Sequence, residues 1–142
     1  MKSMKRIMLF SLIISFLLSC SKDDSLVFSP SSLEFDSAGG VSVLSMKGNA
    51  ASSTEFCGFY GVSENGNFRY CTTEEQVRQN SSDGSLISIS CYGLTVSISN
   101  NSDKEKNEYS IEASNNNTGT PKEYYLQFSH GNEMITYVVK QK

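Results

Sequence analysis

The chain has 142 residues and a mass of 15.7 kDa, enough for one domain of ordinary size and not for two. Aromatic residues make up 11% of it and charged residues 19%, with two prolines and one histidine, which argues against a disordered tail and against a histidine-built metal or catalytic centre. The formal charge is −3 and the basic residues are scattered singly, so the chain offers no electrostatic footprint for nucleic acid.

Lys2, Lys5 and Arg6 precede an uncharged run from Ile7 to Leu18, the basic-then-apolar order of a signal peptide over residues 1–19. A membrane-crossing helix needs about 20 apolar residues, and Ser21, Lys22, Asp23 and Asp24 close this run well before that, so cleavage is expected. Leu17-Leu18-Ser19-Cys20 resembles the lipobox of bacterial lipoproteins. That resemblance implies a diacylglycerol on the Cys20 thiol and Cys20 as the mature N-terminus. Each buried methylene contributes about 0.8 kcal/mol, so several acyl chains hold such a protein on a membrane nearly irreversibly. The next four residues, Ser21-Lys22-Asp23-Asp24, resemble the acidic export signal of Bacteroidetes lipoproteins and imply an outer-membrane protein that faces the cell exterior.

Loss of Lys2, Lys5 and Arg6 leaves nine basic residues against fifteen acidic ones, a mature formal charge of −6. Cys20 and the short acidic tether to Ser25 precede the domain, residues 26–142; Ser21 to Ser25 reach about 17 Å when fully extended, so the domain lies close to the membrane. Ala38-Gly39-Gly40 breaks the chain before an alternating run from Val41 to Met46. The stretch from Gly61 to Gly84 is the least regular. Glu64-Asn65-Gly66-Asn67 reads as a turn, Phe68 to Cys71 as a short strand, and Thr73 to Gln79 as one or two helical turns capped by Thr72 or Thr73 with Glu75 or Gln76 three residues on. Beyond it, apolar residues recur with a period of two. Ile87, Ile89 and Cys91 share one face; so do Leu94, Val96 and Ile98; Tyr109, Ile111 and Ala113; Tyr124, Leu126 and Phe128; and Ile135, Tyr137 and Val139. Asn115 to Pro121 is a loop, and His130-Gly131-Asn132-Glu133 a tight hairpin. Short strands separated by turns, each with one greasy face, predict an all-β, two-layer antiparallel β-sandwich of about seven to nine strands.

Leu26-Val27-Phe28-Ser29-Pro30-Ser31-Ser32-Leu33-Glu34-Phe35, followed by Ala38-Gly39-Gly40, resembles the opening of the Bacteroidetes-associated carbohydrate-binding (BACON) domain. Asn115 to Lys122, with the hairpin and Val138-Val139-Lys140-Gln141 after it, is similar to that family's Asn-Thr-Gly-Thr-Arg segment and its last strand ending in Gln. The resemblance covers about half of the mature chain and implies an immunoglobulin-like sandwich. It also implies either carbohydrate binding or a spacer role. The family's usual Trp in the third strand is absent, and Phe56 or Phe59 fills that place.

No constellation for catalysis, metal or cofactor can be assembled from the sequence. His130 lies in a polar turn; Glu74 and Glu75 are adjacent and so point apart; Glu105 and Glu108 flank Lys104 and Lys106 as surface charge. With Cys20 acylated, Cys57, Cys71 and Cys91 remain, an odd number in an oxidising location. Cys91 falls in phase with Ile87 and Ile89 and is expected in the core, whereas Cys57 and Cys71 flank the irregular segment and either bridge it or stay free. Asp24-Ser25-Leu26 and Asp36-Ser37-Ala38 resemble a short O-glycosylation motif, which implies sugars on Ser25 and Ser37. Sugar-binding surfaces offer aromatic platforms, and Tyr60, Tyr70, Tyr92 and Tyr125 are the candidates. Tyr125 leads them, because it is out of phase with Tyr124, Leu126 and Phe128 and therefore faces water. The expected function is a non-enzymatic, surface-exposed lipoprotein that binds glycan or mucin. The alternative is an accessory subunit that docks on an outer-membrane protein partner.

Overall fold

The structure, a computed structural model, describes residues 25–99 and 106–142. The signal peptide, Cys20, the Ser21–Asp24 export signal and Glu105 lie outside the described residues. Among the described residues eleven strands follow in order: β1 Val27–Ser29, β2 Leu33–Phe35, β3 Gly40–Lys47, β4 Thr54–Glu64, β5 Asn67–Tyr70, β6 Val77–Asn80, β7 Leu86–Cys91, β8 Leu94–Ser99, β9 Lys106–Ala113, β10 Lys122–His130 and β11 Glu133–Gln141. A 3₁₀ turn, Ala51–Ser53, precedes β4. One sheet runs β1-β3-β9-β8-β7-β6 and the other β2-β11-β10-β4-β5. The all-β sandwich of the sequence reading is therefore present, with eleven strands rather than seven to nine. The surplus is made of three- and four-residue edge strands too short to show a period. One pairing, β2 with β11, is parallel.

The inner faces follow the period-two pattern. Leu44, Met46, Leu94, Val96 and Ile111 from the first sheet meet Val62, Leu126, Phe128 and Val139 from the second, all buried. Phe56 and Phe59 both lie in the core, 6.0 Å apart edge to face, and Phe56 also packs on Phe128 at 5.3 Å. Ile87 departs from its expected phase. A bulge between Gln79 and Asn80 pairs Gln79 with Ser88 but Asn80 with Leu86, so Ile87 turns outward and Ser88 goes under cover, bonded to Gln79 at 3.3 Å.

Polar latches close the end of the sandwich that carries the loop after β9. Gln141 is buried, with its amide donating to the carbonyls of Ser114 at 2.7 Å and Asp36 at 3.4 Å while its oxygen accepts from Tyr124 Oη at 3.2 Å. Asn116 donates to the Thr120 and Lys142 carbonyls and accepts from Thr118, which shapes the Asn115–Pro121 loop. At Gly39 (φ +77°) a Cβ would sit 2.1 Å from the Ala113 carbonyl oxygen, so only glycine lets the chain pass there.

The expected helical turns at Thr73–Gln79 do not form. Glu75 carboxylate accepts from the Thr72 amide at 2.9 Å and hydroxyl at 3.0 Å, and the Glu75 amide donates back to the Thr72 carbonyl at 3.1 Å. Only the Glu75-to-Thr72-amide half of the capping arrangement anticipated from the sequence is present, and it closes one turn, after which Val77 enters β6. β6 is an edge strand in the sheet opposite β5, so the segment between them carries the chain from one layer to the other. β5 pairs with only Gly61–Glu64 of β4. The open edge of β4 before Gly61 is covered by side chains instead: Gln76 bonds the Phe59 amide at 3.1 Å and carbonyl at 3.2 Å, and Arg78 bonds the Cys57 carbonyl at 3.1 Å.

Candidate functional site

Two irregularities in β4 build an aromatic patch on the outer face of the five-stranded sheet. Against β10, the register slips once between Gly61 and Phe59 and again between Gly58 and Phe56, so Tyr60 and Cys57 are each one residue too many. A bulge re-aims side chains, and Tyr60 emerges 43% exposed. Across the sheet the directly paired residues Tyr70, Gly61, Tyr125 and Val138 form one row over β5, β4, β10 and β11. The gap that Gly61 leaves in this row is filled by Phe68: a Cβ on Gly61 would lie 2.3 Å from Phe68 Cζ. An aromatic ring laid over a strand glycine restores the packing that the missing side chain forfeits.

Phe68 is the hub. Its ring centroid lies 5.0 Å from Tyr70, 5.5 Å from Tyr60 and 5.6 Å from Tyr125, and Tyr60 and Tyr70 stand 5.2 Å apart at 88°. Three of the four contacts are edge to face, the geometry that the ring quadrupoles favour, so the rings fix one another's orientation. Phe68 remains 41% and Tyr70 61% exposed, which leaves ring surface open for a ligand.

The hydroxyls and charges give this apolar patch a polar rim. Tyr60 Oη is hydrogen-bonded to Tyr70, which pushes the Tyr60 phenol up. Tyr125 Oη donates to Glu123 at 2.9 Å, and Lys140 closes on the same carboxylate at 3.2 Å. The Tyr125 hydrogen bond first, then that from Lys140, holds Glu123 below the usual carboxylate range, and Tyr125 is pushed up in return. Oriented rings beside a carboxylate, an ammonium and three phenols can stack on the C–H faces of a pyranose and bond its hydroxyls.

Of the four tyrosines singled out in the sequence, three are thus brought together. Tyr92 is not among them. It occupies the β7–β8 turn with φ +49°, lies 4.7 Å beneath the Arg69 guanidinium, and donates its hydroxyl to Glu75. The Glu75 bond, followed by burial, pushes its phenol up to about 12. Its place is a structural clamp between the two sheets. Phe68 was missed, although in Phe68-Arg69-Tyr70 the alternation alone puts Phe68 on the same side as Tyr70.

The other candidates are dispersed. Cys57, Cys71 and Cys91 are free thiols, so the Cys57–Cys71 bridge is absent. Cys57 stands at the outer bulge with its thiol directed to the Glu55 carbonyl at 3.7 Å, while Cys71 is buried in the core beside Cys91. Ser25 and Ser37 are both exposed; their backbone carbonyls accept from Ala50 at 3.1 Å and Asn116 at 2.7 Å. His130 ends β10, with Nδ1 3.1 Å from Ser53 Oγ and 3.4 Å from Thr54 Oγ1. Thr54 gives its proton to the Ala50 carbonyl at 2.7 Å. Glu108 accepts from Ser45 at 3.4 Å, and Glu74 is exposed. Among the described residues no three or more His, Cys, Asp or Glu side chains are grouped to hold a metal ion.

No protein-family model matches the chain, and no curated protein matches it. Among solved structures it is similar to one described as the NMR structure of the protein from Bacteroides thetaiotaomicron. The two share 17% identity at a TM-score of 0.50, over 88% of this chain and 94% of the other. At that identity the likeness shows the fold alone.

Proposed function

We propose that this chain is a non-enzymatic lipoprotein displayed on the outer face of the outer membrane, whose sandwich binds carbohydrate, glycan or mucin, through the patch of Tyr60, Phe68, Tyr70 and Tyr125. The observation that carries the reading is the convergence of four aromatic rings, three of them 41–61% exposed, on one sheet face with a carboxylate and an ammonium at the rim. Lone exposed apolar residues need no explanation, but contiguous ones mark an interaction surface. The leader, the lipobox-like Cys20 and the resemblance of both ends of the domain to the BACON family support the address and the ligand class.

Glycan-array and calorimetric titration of the purified chain test it. Binding that weakens at least tenfold in Tyr70→Ala is expected. Silence across host and plant glycans would overturn it. A second reading, an accessory subunit docked on an outer-membrane partner, is favoured by the edge strands β5 and β6, all of whose residues are exposed and open to strand addition. Co-purification of a membrane protein that competes with no sugar would support that reading instead.

A further inference from the structure

Cys71 and Cys91 come from different sheets. Cys71 follows β5, where the chain begins its crossing and its amide bonds the Tyr60 carbonyl at 3.0 Å; Cys91 ends β7, paired with Leu94 across the hairpin. Both are buried, 7% and 2% exposed, within the one hydrophobic cluster between the layers, and each thiol perturbs the ionisation of the other. Two contacts hold the crossing segment against the β7–β8 turn on either side of this pair, Arg69 over Tyr92 at 4.7 Å and Tyr92 to Glu75, and within the segment Gln76 bonds the Cys71 carbonyl at 3.0 Å. We infer that Cys71 and Cys91 are the chain's disulfide-forming pair, a cross-link between the two sheets that locks β5, and with it the base of the aromatic patch, while Cys57 stays a single outer thiol.

The chemistry balances with a disulfide oxidant, either a small-molecule disulfide or an envelope thiol–disulfide oxidoreductase. One of the two thiols, deprotonated, attacks one oxidant sulphur and expels the other as a thiolate. The second, deprotonated in turn, attacks the protein sulphur of the mixed disulfide and expels the remaining oxidant thiolate. Two protein thiols lose two electrons, one oxidant disulfide becomes two thiols, and both protons leave with them. The Arg69 and Glu75 contacts to Tyr92 bracket the pair and keep the two backbones close as the bond of about 2.05 Å forms. Edge strand β5, exposed along its length, is the element that must open to admit the oxidant.

Trypsin separates the three thiols, since cleavage after Lys47, Arg69, Arg78 and Lys104 puts Cys57, Cys71 and Cys91 on different peptides. The full chain is equilibrated with glutathione disulfide, unfolded in an alkylating agent without reductant, and mapped by mass spectrometry. Alkylation or glutathionylation of Cys57 alone, with the Cys71 and Cys91 peptides joined, is expected. Recovery of both Cys71 and Cys91 as alkylated peptides, or a bridge from either to Cys57, overturns the inference. A loop of twenty residues, Cys71 to Cys91, predicts that reduction lowers the melting midpoint by about 10 °C in wild type and in Cys57→Ser alike. An oxidised and a reduced sample that melt together would show that the bridge does not constrain the fold.

Discussion

Gly61→Ala is the sharpest probe of the patch, because it deletes no ring. The added Cβ would lie 2.3 Å from Phe68 Cζ, 2.8 Å from Cε2 and 2.5 Å from the Arg69 carbonyl oxygen, all below the closest approach that real Cβ atoms tolerate. Two of these atoms belong to a side chain that can rotate; the third is backbone of the neighbouring strand and can move only if β5 moves. If the ring leaves, about three-fifths of its surface returns to water, since Phe68 is 41% exposed in place. A phenyl side chain buries on the order of 200 Å² when fully covered, so the loss is about 120 Å² and, at about 25 cal/mol per Å², about 3 kcal/mol before correction for a compact unfolded state. If β5 yields instead, the overpacking cost falls in the same range of about 1–3 kcal/mol. The expected result is an unfolding free energy in urea lowered by that amount with an altered near-ultraviolet tyrosine signal, together with loss of glycan binding. A variant as stable as wild type, with unchanged tyrosine signal, would refute the placement of Phe68 over Gly61.

Gln141→Ala removes the buried donor of the Ser114 carbonyl, while Tyr124 Oη keeps the Tyr92 carbonyl at 3.1 Å and the Asp36 carbonyl keeps the Gly39 amide at 2.9 Å, and a loss of about 2 kcal/mol in urea unfolding is expected. Tyr109 and Tyr124 are each pushed up to about 12, chiefly by burial. A phenol whose folded pKa lies above its unfolded value stabilises the fold fully below about pH 10 and loses that contribution as pH rises toward 12. Absorbance at 295 nm should therefore rise in the native protein well above the single step near pH 10 seen in denaturant, with the late phase coinciding with unfolding. Glu64 is held low by the hydroxyls of Thr118 and then Thr120, so its contribution is complete above the ordinary carboxylate pKa of 4.5 and fades as pH falls through the lowered value. Thermal midpoints of Glu64→Gln should accordingly fall less steeply than those of wild type between pH 4.5 and the acid limit.

The long strands could be read directly because burial on one side imposes a strict alternation: Tyr124, Leu126 and Phe128 are core, Tyr125 is outer, and the His130–Glu133 turn closes β10 onto β11. Alternation fails where the backbone inserts a residue. Nothing in Ile87-Ser88-Ile89 announces the bulge that turns Ile87 out, and nothing in Phe59-Tyr60-Gly61 announces the one that presents Tyr60. Thr73 to Gln79 reads as helical because Thr72 and Glu75 do make a turn; what the sequence could not reveal is that the residues beyond are needed on the opposite sheet, with Gln76 and Arg78 standing in for a strand along β4. Cysteine pairing depends on which layer each thiol faces. The bulge at Cys57 sends it outward, and this long-range fact lies beyond any spacing rule.

The most direct test of the account is chemical-shift mapping of the isotope-labelled chain during titration with mucin-derived oligosaccharides. Perturbations confined to Tyr60, Gly61, Phe68, Tyr70 and Tyr125, with saturation, are the result expected of an aromatic platform. Spectra that do not change, or shifts gathered around the His130 hairpin or the six-stranded sheet instead, would contradict it.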